Sequence, residues 1–282
     1  MLKNDFEKVV NKYGCNSGCT LGICAERNVI FNMLTDGIVF IIKKIRKKKE
    51  WSKGWNRVYR SGVIAVVLTA LVIGYGRYNI FHVVRTEYTV NTQKDIRSQG
   101  HQLALLSDLH YGISMDDDQL QKAADRISAE KTDFVVLDGD IVDVSTTLSQ
   151  MQSAFRILGS IHSQYGIYYT YGNHDKNNYT STPNYTADQL AETIKENKIH
   201  ILEDDTAVIN QEIMLIGRVD RGDGNADRQE ISMLTSKLDR SQEWIVLDHQ
   251  PSGYENVKKA GWGYPIRTER HSEYVILNIV PE

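Results

Sequence analysis

The stretch FVVLDGDIVD, residues 134–143, opens as an unbroken apolar run and ends as a cluster of carboxylates around one glycine. Four apolar residues rich in valine, closed abruptly by Asp and Gly, read as a buried strand delivering polar side chains to its end. The same construction occurs on either side of it, in LALLSDLHYG (103–112) and in IYYTYGNHD (167–175). Between these runs lie helix-like segments at 116–130, which carries acids at its start, at 149–161 and at 186–197. This β/α alternation predicts a sheet that is mainly parallel in its first half. After residue 197 the runs HILED, AVIN, EIMLIG, WIVL and EYVILNIV follow with less helix between them, and predict a second, more antiparallel sheet.

The three polar clusters share a chemistry. Asp108 and His110 are two apart, so a strand would project both to one face. Gly139 allows a close turn that presents Asp140, and Gly172 does the same for Asn173 and His174. A fourth run, Trp244 to Leu247, is followed by Asp248 and His249, which looks like a further ligand. Carboxylate, imidazole and amide oxygen converging at the C-terminal ends of parallel strands are what a pair of divalent cations requires. Any one cluster alone reads as a polar strand-to-loop transition; three in this order point to metal.

Asp-x-His, Gly-Asp-x-x-Asp and Gly-Asn-His-Asp in this order resemble the calcineurin-like metallophosphoesterases, specifically their membrane-anchored bacterial branch. The resemblance runs from about residue 75 to the C-terminus and includes LIGRVDR (215–221) and LDHQP (247–251). It implies an α/β fold of two facing mixed sheets flanked by helices. It also implies two divalent cations, Mn, Fe or Zn, with Asp108 and His110 on the first, Asp140 bridging, and Asn173 and His249 on the second. His174 would meet the substrate's phosphate or leaving group, with Asp143 and Asp175 as its supports. The implied activity is hydrolysis of a phosphomonoester or phosphodiester, by a water activated between metals about 3.5–4 Å apart.

One part of the family pattern is missing. After the histidine of LDHQP it continues with a further strand and a Gly-His-x-His motif, which this chain lacks. Lys259-Ala260-Gly261 resembles the point where that stretch should begin, and GWGYPIRTERHSEYVILNI (261–279) resembles a segment that should come well after it. An internal deletion near 260–261, or an assembly artefact there, accounts for both, and leaves the sandwich incomplete. The alternative function is therefore a non-catalytic rearranged membrane protein that retains weak metal or phosphate binding. His271 is the only histidine after His249 and belongs to the terminal strand region. His82, His101, His162 and His200 fall outside the motifs and read as surface or strand-edge residues. Arg218, Asp220 and Arg221 either face the site or pair with one another at the surface.

The chain has 282 residues and a net charge of −3, which gives no reason to expect a nucleic-acid partner. That sum conceals the stretch 43–60, with nine Lys or Arg and one Glu, followed by sixteen uncharged residues at 61–76. Arg60 and Arg77 can snorkel, so the segment to about Val84 serves as a single-pass membrane anchor, with residues 1–60 cytoplasmic and the phosphoesterase domain, 85–282, outside. A signal-peptide core is the rival, without an obvious cleavage site. A phosphoester associated with lipid or envelope follows as the expected substrate. Cys15, Cys19 and Cys24 all lie before the anchor, and GCTLGICAERNVIFNML (18–34) resembles the Cys-Ala-Glu motif of cytidine deaminases, with Cys24 and Glu26 in its metal and proton-shuttle positions. The downstream Cys pair of that motif is absent, so residues 1–42 read as a fragment.

Overall fold

The strand at Phe134–Asp138 is buried along its whole length and sits near the middle of a six-stranded sheet. Its alternation divides two cores. Val135 and Leu137 pack under the helices, while Phe134 and Val136 pack against a second sheet. A strand covered on both faces has no polar face to show, which is why its sequence reads as a continuous apolar run.

The structure is a computed structural model that describes residues 62–113, 115–221, 228–250, 264–266 and 273–282. Its elements in chain order are α1 (Val63–Phe81), β1 (Val84–Thr92), β2 (His101–Leu106), α2 (Asp117–Glu130), β3 (Phe134–Asp138), α3 (Leu148–Leu158), β4 (Ile167–Thr170), α4 (Ala187–Glu196), β5 (Ile199–Ile201), β6 (Asp205–Ile209), β7 (Ile213–Gly217), α5 (Ile231–Thr235), β8 (Glu243–Leu247), β9 (Tyr264–Ile266) and β10 (Glu273–Pro281). The first sheet runs β1-β10-β2-β3-β4-β5 and the second β6-β7-β8-β9. Leu103, Leu105, Val136 and Leu277 of the first sheet meet Ile213, Leu215, Ile245 and Leu247 of the second in one core, so the sheets face each other. The architecture is an α/β fold of mixed sheets, as expected.

Helices α2, α3 and α4 each begin with a complete capping box, Asp116 with Gln119, Thr147 with Gln150 and Thr186 with Gln189. Each box satisfies two backbone N–H groups that would otherwise be orphaned at the helix start. Along α2, Leu120, Ala123, Ala124 and Ile127 are buried, the i, i+3, i+4, i+7 stripe of a helix laid against a sheet.

Three expectations change. The second sheet, expected to be more antiparallel, is so only between β6 and β7: β7 runs parallel to β8 and β8 to β9. HILED and EYVILNIV do not join it either, because β5 and β10 belong to the first sheet. There β10 lies antiparallel to β2 and parallel to β1. Finally, Val84, where the apolar segment ends, begins a strand that no local pattern announced. This edge strand is largely exposed and pairs with residues about 190 positions later, a partner no local pattern reveals.

The apolar segment before it forms α1, 19 residues with Val66, Val67, Leu71, Val72 and Ile73 all exposed. Among the described residues no helix is long and apolar enough to cross a membrane. The chain divides into two units between Leu71 and Val72, within this helix. The deaminase-like residues Cys15, Cys19, Cys24 and Glu26, the basic stretch 43–60, the junction at 259–261 and His271 lie outside the described residues.

Candidate metal centre

Strand β2 ends at Leu106, so strand alternation does not bring Asp108 and His110 together. Both lie beyond it with left-handed backbones, φ 54° and 43°, and Asp140 after β3 is left-handed too, at 51°. Such conformations cost of order 1 kcal/mol or more for residues with a Cβ and persist only where the surroundings impose them. Here the two loops are zipped together. Asp108 N–H donates to Gly139 O at 3.0 Å, His110 N–H to Asp140 O at 3.0 Å and Tyr111 N–H to Ile141 O at 2.9 Å. A carboxylate or imidazole oxygen or nitrogen from each of Asp108, His110 and Asp140 then lies within 4.8 Å of the others.

Two glycines make the next loop's approach possible. A Cβ on Gly139, itself at φ 74°, would lie 2.6 Å from Gly172 Cα and 2.7 Å from His249 Nδ1. One on Gly172 would lie 2.3 Å from Asp140 Oδ1. Buried Asp175 braces the crossing, accepting from Asp140 N–H at 2.8 Å, Gly172 N–H at 2.6 Å and Val142 N–H at 3.1 Å.

Asp140 is the hub. Its Oδ1 accepts from the His174 backbone N–H at 2.9 Å, while Oδ2 lies 3.2 Å from His249 Nε2 and 3.7 Å from His110 Nε2. The far nitrogens of both rings are engaged elsewhere, His249 Nδ1 with Asp138 O at 2.7 Å and His110 Nδ1 with Asp143 Oδ2 at 3.1 Å. A carbonyl or ionised carboxylate only accepts, so Nδ1 keeps its proton and Nε2 is the nitrogen turned to the hub. Asn173 points its Oδ1 at Gln250 Nε2, 2.6 Å away.

His174 is brought to the centre beside these residues, its ring 5.2 Å from that of His110. Its Nδ1 lies 3.4 Å from Asp143 Oδ2 but makes no hydrogen bond. Asp143 thus stands between two histidines, and with them forms a second potential ligand group. Sequence reasoning gave it only a supporting place; the signal for more was its position three residues after the hub.

Five carboxylates, Asp108, Asp138, Asp140, Asp143 and Asp175, gather here with three imidazoles. Burial pulls the His249 imidazole down, but its hydrogen bond to Asp140 and the charges of Asp140, Asp138 and Asp108 outweigh it and push it up to about 10. His110 is raised above its ordinary value in the same way, against burial, by Asp143, Asp140 and Asp108. Burial raises Asp140, yet His249 and His174 hold it below the usual carboxylate range. Burial pushes Asp138 up to about 7, and burial with the Asp140 charge pushes Asp175 up to about 6. The donor set of imidazole nitrogen and carboxylate oxygen fits divalent cations.

Arg218 and Asp220 are buried, not paired at the surface. Arg218 lies 3.9 Å from buried Asp248 and donates to Gln229 O at 2.7 Å, while Arg221 is exposed. His101 is likewise buried, 2.5 Å from Glu212 and 3.6 Å from Asp133. His82 stacks on Tyr78, His200 stacks on Tyr168, and His162 is exposed.

Residues 101–268 match the model of the calcineurin-like phosphoesterase family. The chain is 32% identical over 120 residues to a transmembrane protein with metallophosphoesterase domain from Danio rerio, covering 42% of this chain and 27% of that protein. It is 26% identical over 168 residues to an uncharacterised metallophosphoesterase of Campylobacter jejuni, covering 57% and 40%. The chain thus aligns with less than half the length of either relative. A dimetal phosphatase structure from Danio rerio superposes with a TM-score of 0.41 at 11% identity, covering 64% of this chain and 87% of that one. The family match spans more than half of the sequence and contains every residue of the centre, and the chain belongs to the calcineurin-like phosphoesterase family.

Proposed function

We propose that the chain is a metal-dependent phosphoesterase that hydrolyses a phosphomonoester or phosphodiester. The observation that carries this reading is the placing of Asp140 Oδ2 between His249 Nε2 and His110 Nε2, at 3.2 and 3.7 Å. Asp108, His110 and Asp140 would hold one divalent cation, and Asp140, Asn173 and His249 a second. Bound divalent cations supply positive charge for the phosphoryl oxygens and acidify a water nucleophile. The chain's own part is proton handling and orientation. His174 is placed to hold a proton toward the leaving oxygen, Asp143 orients the His110 ring by a hydrogen bond and puts its negative charge beside His174, and the Asp175 bonds keep the hub's backbone in place.

Turnover is reduced relative to a complete site, because the Gly-His-x-His motif is missing and each cation loses an imidazole. The domain division follows the sequence reading: a deaminase-like fragment at 1–42, the basic segment and anchor at 43–84, and a phosphoesterase domain at 85–282 shortened near 260–261. Anchoring is supported by the basic run at 43–60, by the exposed apolar side chains of α1 and by the name of the Danio rerio relative. On this reading the domain lies outside the cell membrane and acts on a phosphoester near its surface. A reporter fused after residue 282 should behave as extracytoplasmic; a cytoplasmic signal would overturn the topology.

The activity is tested by manganese-stimulated hydrolysis of an activated aryl phosphodiester by the purified full chain. Slow turnover abolished by Asp140→Asn and strongly reduced by His174→Ala is expected. Turnover indifferent to both substitutions would remove the site assignment. Manganese binding without turnover would favour the non-catalytic alternative, to which the missing motif points.

A further inference from the structure

The His174 ring meets two others, His110 at 5.2 Å and edge-on, and Tyr179, also at 5.2 Å, tilted by 53°. Tyr179 is 46% exposed, so one face of its ring is open to a ligand. Resting on the phosphoesterase reading, we propose that Tyr179 is a specificity residue for the alcohol portion of the substrate, and that the site takes phosphoesters whose alcohol carries a planar aromatic group.

The loop that presents Tyr179 is built to hold it. Asn177 is left-handed at φ 59° and buried, and its N–H donates to His174 O at 3.1 Å. Thr180 N–H closes the next turn onto Asn177 O at 3.2 Å. Buried Tyr185 ties the far end, its hydroxyl donating to Asp175 O at 3.0 Å. Lys176 pairs with Glu203 and lies over the Tyr171 ring at 4.4 Å. A turn pinned on both sides of an exposed aromatic loses little freedom when a ligand packs on that ring, which is the economy of a preorganised binding surface.

On that reading phosphate sits at the hub and His174 beside the leaving oxygen. An alcohol departing next to His174 is then within reach of Tyr179, whose ring packs on that imidazole. An aromatic alcohol can stack offset or edge-on there; an aliphatic one gains only its buried area.

The test compares phenylphosphonate with methylphosphonate, neither of which can be turned over, by titration calorimetry on the full chain with Mn²⁺. Roughly tenfold tighter binding of phenylphosphonate is expected, a difference within the range of one aromatic pair together with its burial. Tyr179→Ala should abolish the difference while leaving methylphosphonate affinity unchanged, and Tyr179→Trp should keep it. Equal affinities in the unaltered chain, a preference that survives Tyr179→Ala, or no binding of either phosphonate would overturn the proposal. So would an equal loss for both ligands in Tyr179→Ala, which would show that the ring only supports His174. Hydrolysis of phenyl phosphate and of the activated aryl phosphodiester is followed in parallel. A Tyr179-dependent preference without hydrolysis would leave the ligand class standing and sink the phosphoesterase reading alone.

Discussion

The imidazole of His249 donates from Nδ1 to the main-chain carbonyl of Asp138, 2.7 Å away, and turns Nε2 to within 3.2 Å of Asp140 Oδ2. His249 lies just beyond β8 of the second sheet, and Asp138 ends β3 of the first. The hydrogen bond therefore joins the two sheets at the point where the candidate centre forms, so sheet packing and ligand orientation are one event.

Metal binding should release protons. His249, pushed up to about 10, holds a proton at neutral pH in the absence of metal and must lose the one at Nε2 to act as a ligand; His110, raised above its ordinary value, adds in the same direction. Affinity for Mn²⁺ should therefore rise with pH up to about 10, where His249 loses its proton unaided. Calorimetry in two buffers of different ionisation enthalpy should show release of about one proton or more per chain at pH 7. For the metal-free fold the sign is opposite: the raised histidine stabilises fully below its unfolded pKa, and that contribution is lost as pH rises through about 10.

Asp143 should matter to both chemistry and metal. It lies 3.1 Å from His110 Nδ1 and 3.4 Å from His174 Nδ1. Replacing it with alanine should weaken Mn²⁺ binding by about 10–100-fold, the usual effect of removing a ligand's hydrogen-bond partner. Asp143→Asn keeps an acceptor and should lie between alanine and the unaltered chain. Unchanged affinity in Asp143→Ala would show that His110 needs no orientation.

Gly139→Ala should be severely destabilising. Its Cβ would sit 2.6 Å from Gly172 backbone atoms and 2.7 Å from His249 Nδ1, at a left-handed φ that adds strain. Overpacking and strain together should cost about 3 kcal/mol. A thermal melt of the metal-free chain would read this, and a melting temperature within about 2 °C of the parent would contradict the packing.

Acid should loosen the end of the sandwich remote from the metal centre. Asp133 is buried, which raises its pKa, but the neighbouring His101 ring, the Arg97 guanidinium and the Gln102 N–H outweigh burial and hold it at about 2. Glu212, 2.5 Å from His101, is lowered as well. A depressed carboxylate contributes stability above its unfolded pKa and loses it as pH falls through the folded value. Asp133 should thus contribute about 2 kcal/mol at neutral pH, lost between about pH 4 and 2. Asp133→Asn should flatten that part of the stability profile, followed by urea unfolding at stepped pH.

What the sequence alone determined was the set of local patterns. FVVL read as a buried strand, the segment 116–130 with acids at its start read as a helix, and the carboxylates and histidines after β2, β3, β4 and β8 stood where parallel strands converge. Those readings rest on periodicity and on residue chemistry, both local in the chain. Tertiary structure decided the rest. Strand β1 was hidden because its partner, β10, lies at the opposite end of the sequence, and the sheet that β5 and β10 join depends on which faces pack, not on their own residues. Asp108 and His110 meet Asp140 through left-handed turns that only the paired backbones of two loops impose. The exposure of Tyr179 beside His174 likewise depends on Asn177, Tyr185 and Glu203, which hold its loop from three directions and bear no sequence pattern that joins them.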